Sequence, residues 1–145
     1  MGFEQLGAKL LGDRGHRQID STLLEKVEVV ALYFSGSWCG PCKVFTPKLV
    51  SMYQSVNSVG KQFEVVYVSA DQSEEDFKDS YDQMPWLSVQ YDEDLLETLS
   101  SVFEVNALPS LCIMKKDGTV KRREARPDLD KCQGNYNSCF ELWKG

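Results

Sequence analysis

The sequence has no long hydrophobic run, little histidine and fewer basic than acidic residues. Its 145 residues include one His, and 16 Lys and Arg against 22 Asp and Glu, which gives a net charge of −6. No apolar run approaches the roughly 18 residues that a membrane-spanning helix needs. Residues 1–11 lack the cationic head and long apolar core of a secretory signal. We therefore expect a cytoplasmic protein, with the nucleus as a second location, that has no membrane segment.

The shortage of positive charge also argues against nucleic acid as a partner, because nucleic-acid binding depends on neutralising phosphates. The one basic cluster is Lys121-Arg122-Arg123. We interpret it as part of an edge strand in a hairpin, where Lys and Arg discourage pairing with other strands. An interaction patch is the alternative, and the shortness of the cluster argues against it.

The chain has five cysteines, which cannot all form disulfides with one another within one chain. An odd number fits a reducing compartment, where thiols stay free unless they are catalytic. Cys39 and Cys42 form a C-x-x-C motif, which is typical of a redox dithiol or of half a zinc site. Cys132 and Cys139 have the wrong spacing to complete a zinc site, and His16 is the only histidine. The motif therefore predicts redox chemistry and no metal.

Hydrophobic patterns predict alternating strands and helices, without repeats or a linker. Continuous apolar runs predict buried strands over residues 29–34, 63–68 and 111–114, and Asp117-Gly118 predicts a hairpin turn after the last of these. Helical spacing and capping residues predict helices that begin near residues 41, 73, 95 and 128. Residues 1–28 are expected to form short strands and turns at a sheet edge. The order predicts one α/β domain over residues 1–145, with a mixed central sheet and helices on both faces.

The C-x-x-C motif lies where a predicted strand ends and a predicted helix begins. At the helix N-terminus, the unpaired backbone N–H groups favour a thiolate on Cys39, while Cys42 is shielded inside the first turn. Cys39 is therefore predicted to attack a substrate disulfide, and Cys42 to resolve the mixed disulfide. Gly40 and Pro41 start the helix, since the φ angle of proline suits that position. Trp38 is expected to shelter one side of the site and to offer substrate an apolar contact.

The motif Trp38-Cys39-Gly40-Pro41-Cys42 resembles the active-site sequence of the thioredoxin superfamily, and Pro47 resembles its helix-kinking proline. The resemblance implies a thioredoxin fold. It also implies that Pro109, between Leu108 and a predicted strand, is the cis-proline of the family. In the family this proline lies against the dithiol and exposes the preceding backbone to an incoming substrate strand.

A narrower resemblance is to tryparedoxins and nucleoredoxins, and it is best matched over residues 28–126. It rests on residues 33–38, 45–47, 68–71, 74–77 and 84–87. Arg126 resembles a residue at the rim of the tryparedoxin site. The chain departs from the branch at Gly40, where a proline is usual, and at Ala70, where tryparedoxins have tryptophan. The second departure argues against a dedicated use of trypanothione.

Tyr33 stands six residues before Cys39, where ordinary thioredoxins have a buried Asp and tryparedoxins have Tyr. The proton acceptor for Cys42 must then be another group. We predict Asp71 or a bound water for this role.

The expected activity is protein-disulfide reduction by a monomer that binds no cofactor. Its partners would be disulfide-containing proteins, with electrons from a small dithiol, glutathione or a flavoprotein reductase. The alternative is a redox-responsive interaction module, similar to nucleoredoxins, in which turnover is incidental.

Four further residues are expected to be structural. Trp86 is predicted to be a packing residue beneath the loop that faces the dithiol, and Cys112 a small buried hydrophobe. Cys132 and Cys139 are predicted to be free thiols, because in one helix they would lie about 10 Å apart along the axis. Only a bend at Gly134-Asn135 would allow them to pair, and a regulatory disulfide is then the alternative.

Overall fold

The computed structural model describes residues 2–144, so residues 1 and 145 of the predicted domain lie outside it. In the described part, seven strands form one sheet with the order β2-β1-β5-β4-β3-β6-β7. The strands are β1 Lys9–Gly12, β2 Arg17–Asp20, β3 Val29–Ser35, β4 Phe63–Ser69, β5 Leu87–Ser88, β6 Ser110–Met114 and β7 Val120–Arg122. The helices are α1 Gly40–Val56, α2 Glu74–Tyr81, α3 Glu93–Val102, α4 Arg126–Lys131 and α5 Tyr136–Trp143, with short 3₁₀ segments at Glu4–Leu6, Asp13–Gly15 and Ser21–Lys26.

The sheet is mixed, as predicted. β3 pairs in parallel with β4 on one side and antiparallel with β6 on the other. The N-terminal hairpin of β1 and β2 forms one edge, and β7 forms the other. This confirms the edge position expected for the first residues and for the basic cluster.

Both faces of the central strands are buried, which explains their unbroken apolar sequence. In β3, Val29, Ala31 and Tyr33 point to the face covered by α1, α2, α4 and α5. Alternate residues of the same strand point to the opposite face, which α3 and the 3₁₀ segments Glu4–Leu6 and Ser21–Lys26 cover. The predicted helices on both faces are confirmed.

Two local features differ from the sequence expectation. The short strand β5 was not predicted, because two residues are too few to show an alternating pattern. The predicted C-terminal helix is two helices, α4 and α5, separated by a corner. Gln133 has φ 51° and Gly134 has φ 89° in that corner, and this left-handed backbone ends α4.

A buried carboxylate ties the sheet edge to the C-terminal helices. Asp128 in α4 is only 6% exposed. It accepts hydrogen bonds from Arg122 Nε, from Arg122 Nη2 at 2.6 Å and from Trp143 Nε1 at 3.0 Å. Burial alone would raise the pKa of Asp128, but these hydrogen bonds outweigh burial and lower it. The basic cluster Lys121-Arg122-Arg123 therefore also has a structural role, because its Arg122 binds the buried Asp128.

Asp128→Asn is expected to lower the free energy of unfolding by about 2 kcal/mol at pH 7, since hydrogen bonds to a charged group are lost. A lowered pKa in the folded state stabilises the protein above the unfolded-state value of about 3.9, and this contribution disappears as the pH falls. The difference between wild type and variant should therefore shrink below about pH 4. Urea unfolding of both proteins at pH 7 and pH 3 measures this difference in the free energy of unfolding.

Asp130→Asn is the matched control for this prediction. Asp130 lies on the same helix in an exposed pair with Lys48 at 3.0 Å, so its replacement should change stability by less than about 0.5 kcal/mol. Equal losses for the two variants would contradict the role assigned to Asp128.

Candidate active site

Three chain segments meet at one end of the central strands, where β3 and β4 end and β6 begins. The strands β3 and β4 run in parallel register to Ser35 and Ser69, and Ala70 N donates to Ser35 O at 2.8 Å. Antiparallel pairing sets Ser110 opposite Phe34. The same end of the central strands therefore holds the loop after β3, the residues after β4 and Pro109, although these segments are far apart in the sequence.

The predicted dithiol occupies the junction of β3 and α1. Cys39 and Cys42 form a disulfide with their Cα atoms 5.2 Å apart. Cys39 is the N-cap of α1, and its Sγ accepts the backbone N–H of Cys42 at 3.2 Å. Cys39 is 5% exposed and Cys42 is 1% exposed. Both cysteines are therefore buried, and the slightly more exposed residue is Cys39 at the helix N-terminus, where backbone N–H groups favour a thiolate.

Trp38 stands beside this disulfide as a largely exposed aromatic side chain, with 60% of its surface accessible. Its Nε1 donates to Ala70 O at 3.0 Å, which ties the indole to the loop after β4. The ring also packs closely on Gly36, where an added Cβ would lie 2.8 Å from Trp38 Nε1. Trp38 therefore has a defined position with an apolar face open to solvent.

Asp71 lies beneath the loop that leads to the dithiol. Its Oδ1 accepts the backbone N–H of Ser37 at 2.6 Å, and its Oδ2 accepts the hydroxyls of Ser69 at 2.6 Å and Tyr67 at 2.9 Å. Burial would raise the pKa of Asp71, but these hydrogen bonds outweigh it and lower the pKa. Tyr91 adds a hydrogen bond to Asp71 O at 3.0 Å. These contacts hold the loop in place, and the role of Asp71 as proton acceptor stays a prediction.

If Asp71 accepts the proton of Cys42, Asp71→Asn should slow disulfide reduction and shift its pH profile. The measurement is the rate of insulin reduction between pH 5 and 9. Tyr67→Phe is the control, because it removes one hydrogen bond to Asp71 and leaves the carboxylate in place. An unchanged rate and pH profile in Asp71→Asn would exclude this role.

Tyr33 fills the place of the buried acid of ordinary thioredoxins. It is fully buried, and its hydroxyl lies 2.6 Å from Thr46 Oγ1. Thr46 in turn donates to Cys42 O at 2.9 Å, so the proton between the two hydroxyls comes from Tyr33. Burial raises the pKa of Tyr33. A neutral hydrogen-bond chain thus supports the first turn of α1 from below.

The Leu108-Pro109 peptide bond is cis, as the resemblance implied. Pro109 lines a cavity of about 180 Å³ together with Arg126, Arg123 and Glu104. A second cavity, of about 690 Å³, is lined by Cys42, Lys43 and Met84 among others. Open space therefore lies next to Pro109 and next to Cys42. Arg126 shares the first cavity with Pro109, and its role at the rim of the site stays a prediction.

Trp86 and the three cysteines outside the dithiol have the environments that the sequence predicts. Trp86 is 1% exposed and Cys112 is fully buried, as expected of packing residues. Burial raises the pKa of Cys112 to about 11. Cys132 and Cys139 are free thiols. Among residues 2–144, no cluster of His, Cys, Asp or Glu is arranged to hold a metal ion, and no helix is long and apolar enough to cross a bilayer.

Most of the polar residues that support the site could not be assigned this role from the sequence. They are Ser37, Thr46, Tyr67, Ser69 and Tyr91. Thr46 and Ser69 carry a local signal, because a threonine four residues after Cys42 in a helix can bond its carbonyl, and a serine two residues before Asp71 can bond its carboxylate and backbone N–H. Tyr67 lies on the strand that leads to Asp71, whereas Ser37 and Tyr91 reach Asp71 from segments distant in the sequence.

A dithiol at a helix N-terminus, with a cis-proline at the same end of the central strands, is the arrangement of a redox dithiol in a domain of thioredoxin fold. The chain belongs to the thioredoxin-like family, whose model matches residues 27–120. Within that family its relatives include tryparedoxins and nucleoredoxins. It is 42% identical over 101 residues to the tryparedoxin of Trypanosoma brucei brucei, covering 68% of this chain and 69% of that protein. It is 40% identical over 118 residues to the nucleoredoxin of Danio rerio, covering 80% of this chain and 28% of that protein.

Solved structures agree with this assignment. Native tryparedoxin I from Crithidia fasciculata superimposes with a TM-score of 0.81 at 32% identity, over 92% of this chain and 94% of that one. The nucleoredoxins are longer, and the chain spans only 20% of the probable nucleoredoxin 1 of Arabidopsis thaliana and 29% of the mouse nucleoredoxin. The resemblance to the tryparedoxin and nucleoredoxin branch is thus confirmed.

Proposed function

We propose that this protein is a protein-disulfide reductase that acts as a monomer through Cys39 and Cys42. The observation that carries the proposal is the asymmetry of the dithiol. The more accessible Cys39 caps α1 and accepts the N–H of Cys42, while Cys42 is shielded. A reaction that starts on one sulfur and ends on the other needs this arrangement.

In the proposed reaction, the Cys39 thiolate attacks one sulfur of a substrate disulfide. A Cys39–substrate disulfide forms, and the other substrate sulfur leaves as a thiolate and takes a proton. Cys42 then loses its proton, with Asp71 or a water as the proposed acceptor, and attacks Cys39 Sγ. The products are the second substrate thiol and the Cys39–Cys42 disulfide, so two electrons have passed to substrate.

Substrate binding is proposed to use the surface around the dithiol. The backbone of Leu108, before cis-Pro109, would pair with an extended segment of the substrate. The exposed face of Trp38 would contact its apolar side chains. Gly40 and Pro41 keep the start of α1 free of bulky side chains, which supports close approach of a substrate disulfide.

The electron donor is proposed to be a small dithiol, glutathione or a flavoprotein reductase. The three free cysteines at positions 112, 132 and 139 support a reducing compartment such as the cytoplasm. Since no tryptophan precedes Asp71, we expect no dedicated use of trypanothione.

Steady-state reduction of insulin tests the proposal directly. The protein is supplied in turn with glutathione and glutathione reductase, with trypanothione and its reductase, and with thioredoxin reductase, each with NADPH. Turnover above the protein-free rate with at least one donor supports the reductase. Stoichiometric reduction without turnover, with every donor, would overturn it.

A redox-responsive interaction module is the second candidate, favoured by the likeness to nucleoredoxins and by the exposed Trp38 next to the dithiol. In that case Cys39→Ser would keep the same stable partners as the wild type. Loss of those partners in Cys39→Ser, together with insulin turnover by the wild type, favours the enzyme.

A further inference from the structure

Two cysteines outside the active site meet at the corner between α4 and α5. Cys132 follows the last residue of α4, and Cys139 lies in the second turn of α5. The left-handed backbone at Gln133 and Gly134 turns the chain between them. The corner therefore removes the separation of about 10 Å that one continuous helix would impose.

The two thiols occupy the same side of α4. Cys132 Sγ donates to Leu129 O at 3.1 Å, and Cys139 Sγ donates to Asp128 O at 3.2 Å. The two carbonyl groups belong to neighbouring residues of one helical turn. Burial raises the pKa of Cys139 to about 12, and the nearby Cys132 thiol adds to this shift. The two sulfurs thus lie against the carbonyl groups of adjacent residues of α4.

We propose that Cys132 and Cys139 form a second redox-active pair that closes to an intramolecular disulfide independently of Cys39 and Cys42. The two sulfurs differ in access, because Cys132 is half-buried and Cys139 is only 2% exposed. Cys132 is the sulfur that an oxidant can reach, and Cys139 is the resolving sulfur.

The oxidant is a small-molecule disulfide of the glutathione disulfide class. The Cys132 thiolate attacks one of its sulfurs, which forms a Cys132–glutathione disulfide and releases one glutathione thiolate. Cys139 then loses its proton and attacks Cys132 Sγ, which releases the second glutathione. Two protein thiols are oxidised, one glutathione disulfide is reduced, and the two protons end on the two glutathione thiols.

The disulfide would restrain α4, a helix that begins beside the cavity next to Pro109. Helix α4 begins at Arg126, which lines the same cavity as Pro109. The residue before it is also anchored, since Ala125 N donates to Leu111 O at 2.8 Å. Closing the pair links the C-terminal end of this helix to α5, which packs on the core through Phe140 and Trp143. The second pair is therefore placed to hold the position of α4.

The test uses the full chain with Cys39→Ser and Cys42→Ser, so that the first pair is silent. The protein is equilibrated in glutathione buffers of increasing oxidised fraction, quenched with acid, alkylated and mapped by peptide mass spectrometry. We expect Cys132 and Cys139 to lose their free thiols together and to appear as one linked peptide. Because the active-site cysteines are absent, failure of this test and failure of the proposed reductase are distinguishable.

Two controls separate disulfide formation from other oxidation. Adding Cys139→Ser should stop the reaction at a stable Cys132–glutathione adduct, whereas adding Cys132→Ser should leave Cys139 unmodified. Cys112 is fully buried and reports on unfolding, so it should stay alkylatable only after denaturation. Modification of Cys112 in parallel, or free thiols at both Cys132 and Cys139 throughout the titration, would overturn the proposal.

Discussion

Cys39→Ser is expected to reduce insulin no faster than a protein-free mixture of donor and insulin. The nucleophile in disulfide exchange is a thiolate, and a serine hydroxyl stays protonated at neutral pH. Cys42 is the neighbouring thiol, but it is more deeply buried than Cys39 and does not cap α1, so we expect it not to take over the first attack. The measurement is steady-state insulin reduction with the donor that supports the wild type.

Cys42→Ser should behave differently from Cys39→Ser, and this difference tests the order of the two attacks. The first attack by Cys39 remains possible, but resolution does not, so a Cys39–substrate disulfide should accumulate. Mass spectrometry after acid quenching detects it. Cys132→Ser is the matched control and should keep wild-type turnover, because Cys132 lies at the α4–α5 corner. An equal mixed-disulfide yield from Cys39→Ser and Cys42→Ser would contradict the assigned roles.

Trp86→Ala is expected to lower the free energy of unfolding by about 4 kcal/mol, the largest loss of stability predicted here. Trp86 is 1% exposed and contacts two tyrosines edge to face, Tyr33 at 5.9 Å and Tyr53 at 5.6 Å between ring centroids. Truncation would leave a large cavity beside α1. A loss of this size is a substantial share of the 5–15 kcal/mol that is usual for a domain.

Two further tryptophan variants sharpen this prediction, and urea unfolding followed by circular dichroism measures all three. Trp86→Phe should cost clearly less, because it keeps an aromatic ring and removes Nε1, which has no hydrogen-bond partner among the described residues. Trp38→Ala removes an exposed ring and should change stability by less than about 1 kcal/mol. Equal losses for Trp86→Ala and Trp38→Ala would contradict the packing role of Trp86.

The parts of the site that could be predicted are those with a local physical cause. The dithiol positions follow from a strand–helix junction, because the helix N-terminus acts on the residue that caps it. The expected cis bond at Pro109 needed the family resemblance, since spacing alone does not distinguish cis from trans. The sequence shows that Cys132 and Cys139 need a bend at Gly134-Asn135 to approach each other, but only the structure shows that the chain turns there.

The support beneath the site could not be predicted in the same way. Tyr67 and Ser69 of β4 and Ser37 of the loop after β3 converge on Asp71, and Tyr91 joins them from 20 residues further along the chain. Such contacts depend on the register of β3 and β4 and leave no periodic pattern in the sequence. The strand β5 could not be predicted for a related reason. It is defined by its pairing with β1 and β4, and its two residues are too few to form a sequence pattern.

The sequence by itself determined the redox chemistry, the order of the central strands and helices, and the family. These follow from residue types at short spacings, which act through local backbone geometry and hydrophobic periodicity. Only the tertiary structure decided that Asp71 anchors the dithiol loop, that Trp86 is buried between two tyrosines, and that a second thiol pair meets at the α4–α5 corner. The first two depend on contacts between residues distant in sequence, and packing determines which of these contacts form. The third depends on the left-handed backbone at Gln133 and Gly134, which turns the chain between the two cysteines.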